Sequence, residues 1–361
     1  MSCVRIGVVG CGAIAQIQHL PHLKELRDRF DLAAVCDVSR RLVEFIGDLY
    51  GVPHRFTDYR EMLNANLDAV LLCFADPKTE VAVAALRAGK HVFIEKPMCF
   101  SVQEADRILN AAQTSGKTLM VGYMKQHDPG YQYALTQVRQ IPDIRFIQVN
   151  HLHPSNDLHL KEFTLYRFDD VPQEAIEHTS QSREAAVREA IGEVSDETRR
   201  VFFLLSGSMI HDISSLRGMF GPPARVVSAE VWRDGGCITT VFAYDGDKRC
   251  VATWTDLPEL WDFRETLEVY GGAQRVIIRF PTGFARGTPS PVIVQGMEEG
   301  NIPWKKEVIV NTQNSFKLEL IHFHECIVND TPPLTDGVGA RHDAALVREI
   351  VQTYLKTTLA R

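Results

Sequence analysis

The first third of the chain alternates between short apolar runs and amphipathic stretches. Residues 5–9, 32–36, 68–74, 91–95 and 118–122 are apolar with little interruption. Runs of that kind predict strands buried on both faces, as in a parallel sheet covered by helices. Between them, residues 13–29, 42–49, 57–63, 78–88 and 102–115 carry helical spacing. Pro21 should kink or restart the first of these. Thr57 or Asp58 should cap the third, while Gly89 and Gly116 mark helix ends. This rhythm predicts a doubly wound parallel sheet over residues 1–122.

The pattern then changes. Residues 129–139 read as a helix, and 143–153 as a longer strand. Residues 160–205 are polar, charged and helix-prone, clearest over 174–193, and fit a lid or a solvated face. Six short runs follow, at 226–232, 237–244, 249–255, 265–270, 276–280 and 307–310. They mix apolar with polar positions and are punctuated by turn signals such as Asp245-Gly246-Asp247 and Gly271-Gly272. They predict an open, mainly antiparallel sheet, closed by helices over 316–329 and 343–356. The expected organisation is therefore α/β: a nucleotide-binding domain at 1–122, then an α+β substrate and oligomerisation domain at 123–361.

Composition narrows the class. With 361 residues, 45% hydrophobic and 24% charged, the chain can bury two cores and reads as soluble and globular. A net charge of −7, with no basic block, argues against a nucleic-acid partner. The eight cysteines are scattered without a C-x-x-C pair, so neither a metal site nor a disulfide framework is expected. With no leader-like or membrane-length run, this points to a reducing, cytoplasmic setting away from membranes.

The strongest local signal is Gly10-x-Gly12-x-x-Ala15, which ends the first strand and opens a helix. Gly10 permits a sharp turn, Gly12 leaves room for a pyrophosphate, and Ala15 lets the helix lie close on the strand. The helix start, with Ala13 and Ile14, offers amide groups to the phosphates. Asp37, at the end of the second run, is placed to accept hydrogen bonds from an adenosine ribose and favours NAD over NADP. Arg40 and Arg41 just beyond it could offset its repulsion of a 2′-phosphate. A second signal is Glu95-Lys96-Pro97, where Lys96 falls at the carboxyl end of a parallel strand. An ammonium group there can donate to a substrate oxygen. A surface lysine paired with Glu95 is the plain alternative.

Together these segments resemble the glucose–fructose oxidoreductase / inositol dehydrogenase / MocA (Gfo/Idh/MocA) family. So do Ala88-Gly89-Lys90-His91-Val92, Gly122-Tyr123-Met124-Lys125-Gln126-His127-Asp128-Pro129 and Gly207-Ser208-Met209-Ile210-His211-Asp212-Ile213. The resemblance implies a Rossmann domain binding NAD, or NADP, and hydride transfer with a secondary alcohol of a sugar, glycoside or cyclitol. It implies that Glu95 and Lys96 lie beside the cofactor, that Lys96 orients the reacting oxygen, and that His211 is the general acid/base. Tyr123, Lys125, His153 and Asp212 are substrate candidates, no metal is implied, and a homo-oligomer through the C-terminal sheet is expected. The chain departs from the family at Gly207, where an aspartate is common four residues before the histidine; Asp212 or Ser208 would have to substitute. That departure keeps two other readings in view. One is a redox-neutral enzyme that recycles trapped NAD. The other is a non-catalytic NAD(H) sensor.

Overall fold

The computed structural model describes residues 3–359. Two compact units emerge, and the chain passes between them more than once. The first comprises the chain through Tyr123, Phe163–Gly192 and Phe316–Ala344; the second comprises Met124–Glu162, Glu193–Ser315 and the remainder from Ala345. A cut after residue 122 therefore captures only the first crossing. The expected single boundary misses two later segments that return to the nucleotide unit, because side-chain contacts far apart in sequence, apolar for Leu320 and Phe323 and polar for Tyr166–Asp170, bring them back.

In the first unit, six parallel strands stand in the order β3-β2-β1-β4-β5-β6. They are β1 (Val4–Val9), β2 (Phe30–Cys36), β3 (His54–Phe56), β4 (Ala69–Leu72), β5 (His91–Glu95) and β6 (Leu119–Gly122). The reversal of order at β1/β4 creates the crevice at the strands' carboxyl ends where ligands bind in such sheets. The helices are α1 (Leu20–Glu25), α2 (Arg40–Tyr50), α3 (Tyr59–Leu63), α4 (Thr79–Arg87) and α5 (Val102–Ser115). Ser101 and Glu104 form a capping box on α5, and Gly116 ends it in the left-handed region. Instead of one helix over 13–29, the chain makes a π-turn at Ala15–His19 and restarts as α1 with Pro21 in its first turn. Ile6, Val8, Leu20, Leu23, Val43, Ile46, Leu71, Phe93, Leu320 and Phe323 form the core.

The second unit holds an eight-stranded sheet, β14-β13-β12-β11-β7-β10-β9-β8, antiparallel except where β7 meets β10. Its strands are β7 (Ile144–His153), β8 (Arg225–Trp232), β9 (Cys237–Tyr244), β10 (Lys248–Asp256), β11 (Arg264–Gly271), β12 (Arg275–Phe280), β13 (Val292–Glu298) and β14 (Ile302–Val308). β13 was not expected, and β14 starts five residues before the predicted 307. Pro303 fits β14 because this strand is an edge and pairs only with β13. The helices of this part of the chain are α6 (Pro129–Val138), α7 (Asn156–Leu160), α8 (Gln173–Ile191), α9 (Asp196–Leu204), α10 (Ile210–Phe220), α11 (Ser315–Asn329) and α12 (Gly337–Leu359); α8 and α11 fold into the first unit. A second π-turn, Leu205–Met209, joins α9 to α10. No helix among the described residues is long and apolar enough to cross a membrane. The seven cysteines beyond Cys3 are buried, and all eight are free thiols.

Candidate active site

The nucleotide end of the first unit is built from two strand ends. Gly10 turns the chain at φ +89°, and a Cβ there would lie 2.5 Å from the Phe74 backbone nitrogen, so only glycine fits. Gly12 is different. A Cβ built on it meets nothing within 4 Å. That open space beside a helix start is what a diphosphate needs to reach main-chain amides. Ala15 is fully buried, as close helix–strand packing requires. Ala13 and Ile14 form the helix start.

Asp37 braces this turn. Its Oδ2 accepts from the Cys11 N–H at 2.8 Å and its Oδ1 from the Ser39 N–H at 3.1 Å. A carboxylate has about four lone-pair sites, so two remain for ribose hydroxyls. Asp37, Gly10, Thr57, Phe74 and Pro77 share one cleft with Ala175, His178 and Thr179 of α8. A bidentate pair from Arg107 to Glu189, at 2.9 and 3.0 Å, ties α8 to α5. The polar insert therefore lines one side of this cleft, while most of α8 faces solvent. Neither arginine beyond Asp37 is held in reserve for a phosphate. Arg40 bonds Thr57 and lies 3.7 Å from Glu44, while Arg41 pairs with Asp169 at 2.7 Å.

Lys96 follows β5 at the sheet's carboxyl edge and is partly exposed. Glu95 is buried. Its Oε1 meets His19 Nε2 at 2.7 Å, and its Oε2 accepts from the Lys96 backbone N–H at 3.0 Å. The Glu95 carboxylate is thus engaged inside the fold with His19, rather than lying at the surface. Burial works to raise the Glu95 carboxyl, but the His19 hydrogen bond and the charges of His19, Lys96 and Lys78 outweigh it and hold it below its ordinary value. Lys78 is itself buried and donates to Asp76 at 2.6 Å and to the Pro97 carbonyl at 3.1 Å, pinning the turn that carries Lys96. Behind Glu95 stands Glu319, fully buried with neither carboxyl oxygen hydrogen-bonded. Burial, then the negative charge of Glu95, pushes it well above the usual carboxylate range, which favours its neutral form.

The second unit gathers another polar cluster. On β7, His151 stands opposite Trp254 of β10 and Glu265 of β11. Its Nδ1 meets Asp212 Oδ2 at 2.8 Å, and its Nε2 meets His153 Nδ1 at 3.1 Å. His153 continues to Asn156 at 3.1 Å and stacks on Trp254. Lys125 is buried and pairs with Glu265. Burial lowers both histidines to about 4, whereas burial and the nearby Asp212 carboxylate raise Glu265 to about 7. Burial also raises Asp212.

His211 opens α10 directly after the π-turn that contains Gly207; its carbonyl accepts from Ser214 and Ser215 hydroxyls at 3.1 and 2.7 Å. Neither proposed relay substitute is uncommitted. Asp212 bonds His151, and Ser208 Oγ accepts from Trp254 Nε1 at 2.9 Å. Of the four substrate candidates, Lys125, His153 and Asp212 come together in this cluster. Tyr123 is buried at the end of the first unit.

Two groups of side chains among the described residues have donor atoms close enough to hold a cation: His19, Glu95 and Glu319, and His151, Asp212 and Glu265. In the second, the Lys125 ammonium already supplies the positive charge beside Glu265. Sequence reading missed His19, Lys78, Glu265 and Glu319. Only Glu319 carried a usable signal, being an acid on the apolar stripe formed by Phe316, Leu320 and Phe323.

Residues 4–123 match the model of the GFO_IDH_MocA oxidoreductase family, described as an NAD-binding Rossmann fold. An inositol 2-dehydrogenase/D-chiro-inositol 3-dehydrogenase from Shouchella clausii is 38% identical over 132 residues, 36% of this chain and 38% of that protein. The chain matches only about two fifths of the length of such curated relatives; for the Salmonella inositol 2-dehydrogenases the share is 39%. Solved structures align over nearly the whole chain. Aldose–aldose oxidoreductase from Caulobacter crescentus, complexed with glycerol, has TM-score 0.75 at 19% identity, covering 99% of this chain and 98% of that one. A 3-ketoreductase from Actinomadura kijaniata in complex with NADP has TM-score 0.73 at 18% identity, covering 98% of each. These likenesses establish the two-part fold.

Proposed function

We propose that this protein is a nicotinamide-dependent oxidoreductase, a reading supported by the match of residues 4–123 to the NAD-binding Rossmann fold of the GFO_IDH_MocA oxidoreductase family. It transfers hydride to or from a secondary alcohol of a sugar, glycoside or cyclitol. The observation that carries this reading is the glycine turn: Gly10 admits only glycine, Gly12 faces open space, and Asp37 braces the loop while keeping acceptor capacity. A bound dinucleotide supplies the hydride acceptor or donor.

The chain's own residues bind, orient and move the proton. Backbone amides at Gly12, Ala13 and Ile14 take the diphosphate, and Asp37 takes ribose hydroxyls. Asp37 favours NAD, since a 2′-phosphate beside it would meet like charge. Lys96 donates to the substrate oxygen and stabilises the charge that grows there as the O–H proton leaves. His211 accepts that proton in oxidation and returns it in reduction, a role suited to an imidazole near neutral pH. With Gly207 in the relay position and Asp212 and Ser208 engaged elsewhere, His211 works without a neighbouring carboxylate from that turn. Lys125, His153 and Asp212 form the polar wall that receives substrate hydroxyls. A homo-oligomer is proposed through the sheet face that bears half-buried Thr239, Val241, Val251 and Thr253.

The test is a panel of sugars, inositols and glycosides with NAD+ and NADP+, followed by absorbance of the reduced cofactor. Lys96→Ala and His211→Ala should each lower kcat by about 100-fold or more while nucleotide affinity holds. Full activity in both variants would remove the two assigned roles.

A further inference from the structure

The insert does more than wall the cleft. Its first turn of chain, residues 166–170, crosses the start of α2 and is fastened there at several points. Gln16, in the π-turn after the glycine loop, donates its Nε2 to the Tyr166 carbonyl at 3.0 Å and accepts the Tyr166 N–H at 2.9 Å. The Tyr166 ring packs on Phe45 of α2 with centroids 4.1 Å apart. Arg41 lies over the Phe168 ring at 4.8 Å. These contacts set the position of two acids. Asp170 accepts the Ser39 hydroxyl and, at 2.8 Å, the Arg41 backbone N–H. Asp169 takes the Arg41 guanidinium at 2.7 Å.

Those donors have a recognisable chemistry. A hydroxyl, a first-turn amide and a guanidinium, all two to four residues past Asp37, form the set that a phosphate on the adenosine ribose would draw upon. Here the chain fills that set with its own carboxylates. We infer that Asp170, helped by Asp169, is a specificity-determining residue that makes the ribose pocket accept a free 2′-hydroxyl and refuse a 2′-phosphate. The strap holds an internal anion where NADP would have to bring one. An incoming phosphate has to displace Asp170 from Ser39 and Arg41 and then sit among three carboxylates, with Asp37 the third. NAD, which carries a hydroxyl there, leaves the strap closed.

This inference rests on the dinucleotide reading of the glycine turn, and the experiment separates the two. NAD+, NADP+ and 2′,5′-ADP are titrated calorimetrically into the full chain, wild type and variants, with no substrate present. Wild type should bind NAD+ about 100-fold or more tighter than NADP+, and 2′,5′-ADP should give no saturable heat. The double variant Asp169→Ala/Asp170→Ala should tighten NADP+ by about 10- to 100-fold, the worth of one charge-assisted hydrogen bond to the freed donors. Its NAD+ affinity should stay within about threefold of wild type. Asp170→Asn, which removes the charge and keeps an acceptor for the Arg41 N–H, should give a smaller gain in the same direction. It serves if the double variant melts early by circular dichroism. Equal affinity of wild type for NAD+ and NADP+, or an unchanged ratio in folded variants, overturns the role of Asp170 while the dinucleotide reading stands. Binding of neither nucleotide overturns both.

Discussion

Replacing each glycine of the nucleotide turn by alanine should separate folding from binding. At Gly10 the backbone has φ +89°, and the new methyl would lie 2.5 Å from Phe74 N and 2.7 Å from Phe74 Cβ. The left-handed conformation costs a non-glycine residue about 1–2 kcal/mol, and forcing a methyl into backbone adds about 1–3. Gly10→Ala should therefore lose about 2–5 kcal/mol of stability. At Gly12 the methyl meets nothing within 4 Å. Reduced freedom of the unfolded chain favours alanine by about 0.4–1 kcal/mol, and the poorer helix start takes back a similar amount. Gly12→Ala should thus fold within about 1 kcal/mol of wild type. Its methyl stands in the space assigned to the diphosphate, so loss of one charge-assisted bond should weaken NAD+ by about 10- to 100-fold. Urea unfolding and calorimetric titration of the same two preparations read both quantities. A Gly12→Ala protein that binds NAD+ like wild type would show that no diphosphate lies against this turn, and the proposed function would lose its main support. A Gly10→Ala protein as stable as wild type would show that the strain argument is wrong.

Two further predictions concern buried titrating groups. Burial and the Glu95 charge raise the Glu319 carboxyl above the ordinary 4.5, so the stability it confers is present below pH 4.5 and is lost as pH rises toward its folded value. Glu319→Gln should gain on wild type by about 1.4 kcal/mol per pH unit as pH rises above 4.5 toward the folded value, and a gap between the two that does not change with pH would show that Glu319 titrates in the fold as it does in the unfolded chain. His151 and His153 run the other way: lowered from 6.5 to about 4, they confer stability that is present above pH 6.5 and lost as pH falls toward 4. His153→Gln should flatten the acid limb of the urea midpoint by about 1.4 kcal/mol per unit between those values, and an unaltered limb would mean that His153 is protonated freely in the fold.

How far the sequence could be read depends on what each segment is held by. The parallel sheet was legible because every strand is an apolar run with turn or cap chemistry at its end, and α5 came out residue for residue at 102–115. β13 was hidden because Pro289, Pro291 and Gly296 read as loop punctuation, yet the strand pairs on both sides. The restart at Pro21 was legible; the π-turn before it was not, since a π-turn leaves no periodic mark. The insert shows the limit most clearly. Its helix at 173–191 was visible from composition, but its attachment to the nucleotide unit rests on Tyr166, Asp169 and Asp170 meeting Gln16, Ser39 and Arg41, more than a hundred residues away. No pattern within a window can carry such a contact. The same holds for the support of Lys96: the motif names the lysine, whereas His19, Lys78 and Glu319, drawn from three other segments, set the turn behind it. Apolar periodicity thus locates the scaffold and the strand ends where chemistry can sit. What the site discriminates is decided by polar groups that periodicity assigns to the surface: from the sequence Arg41 was only a residue that could offset repulsion of a 2′-phosphate, and the fold pairs it with Asp169.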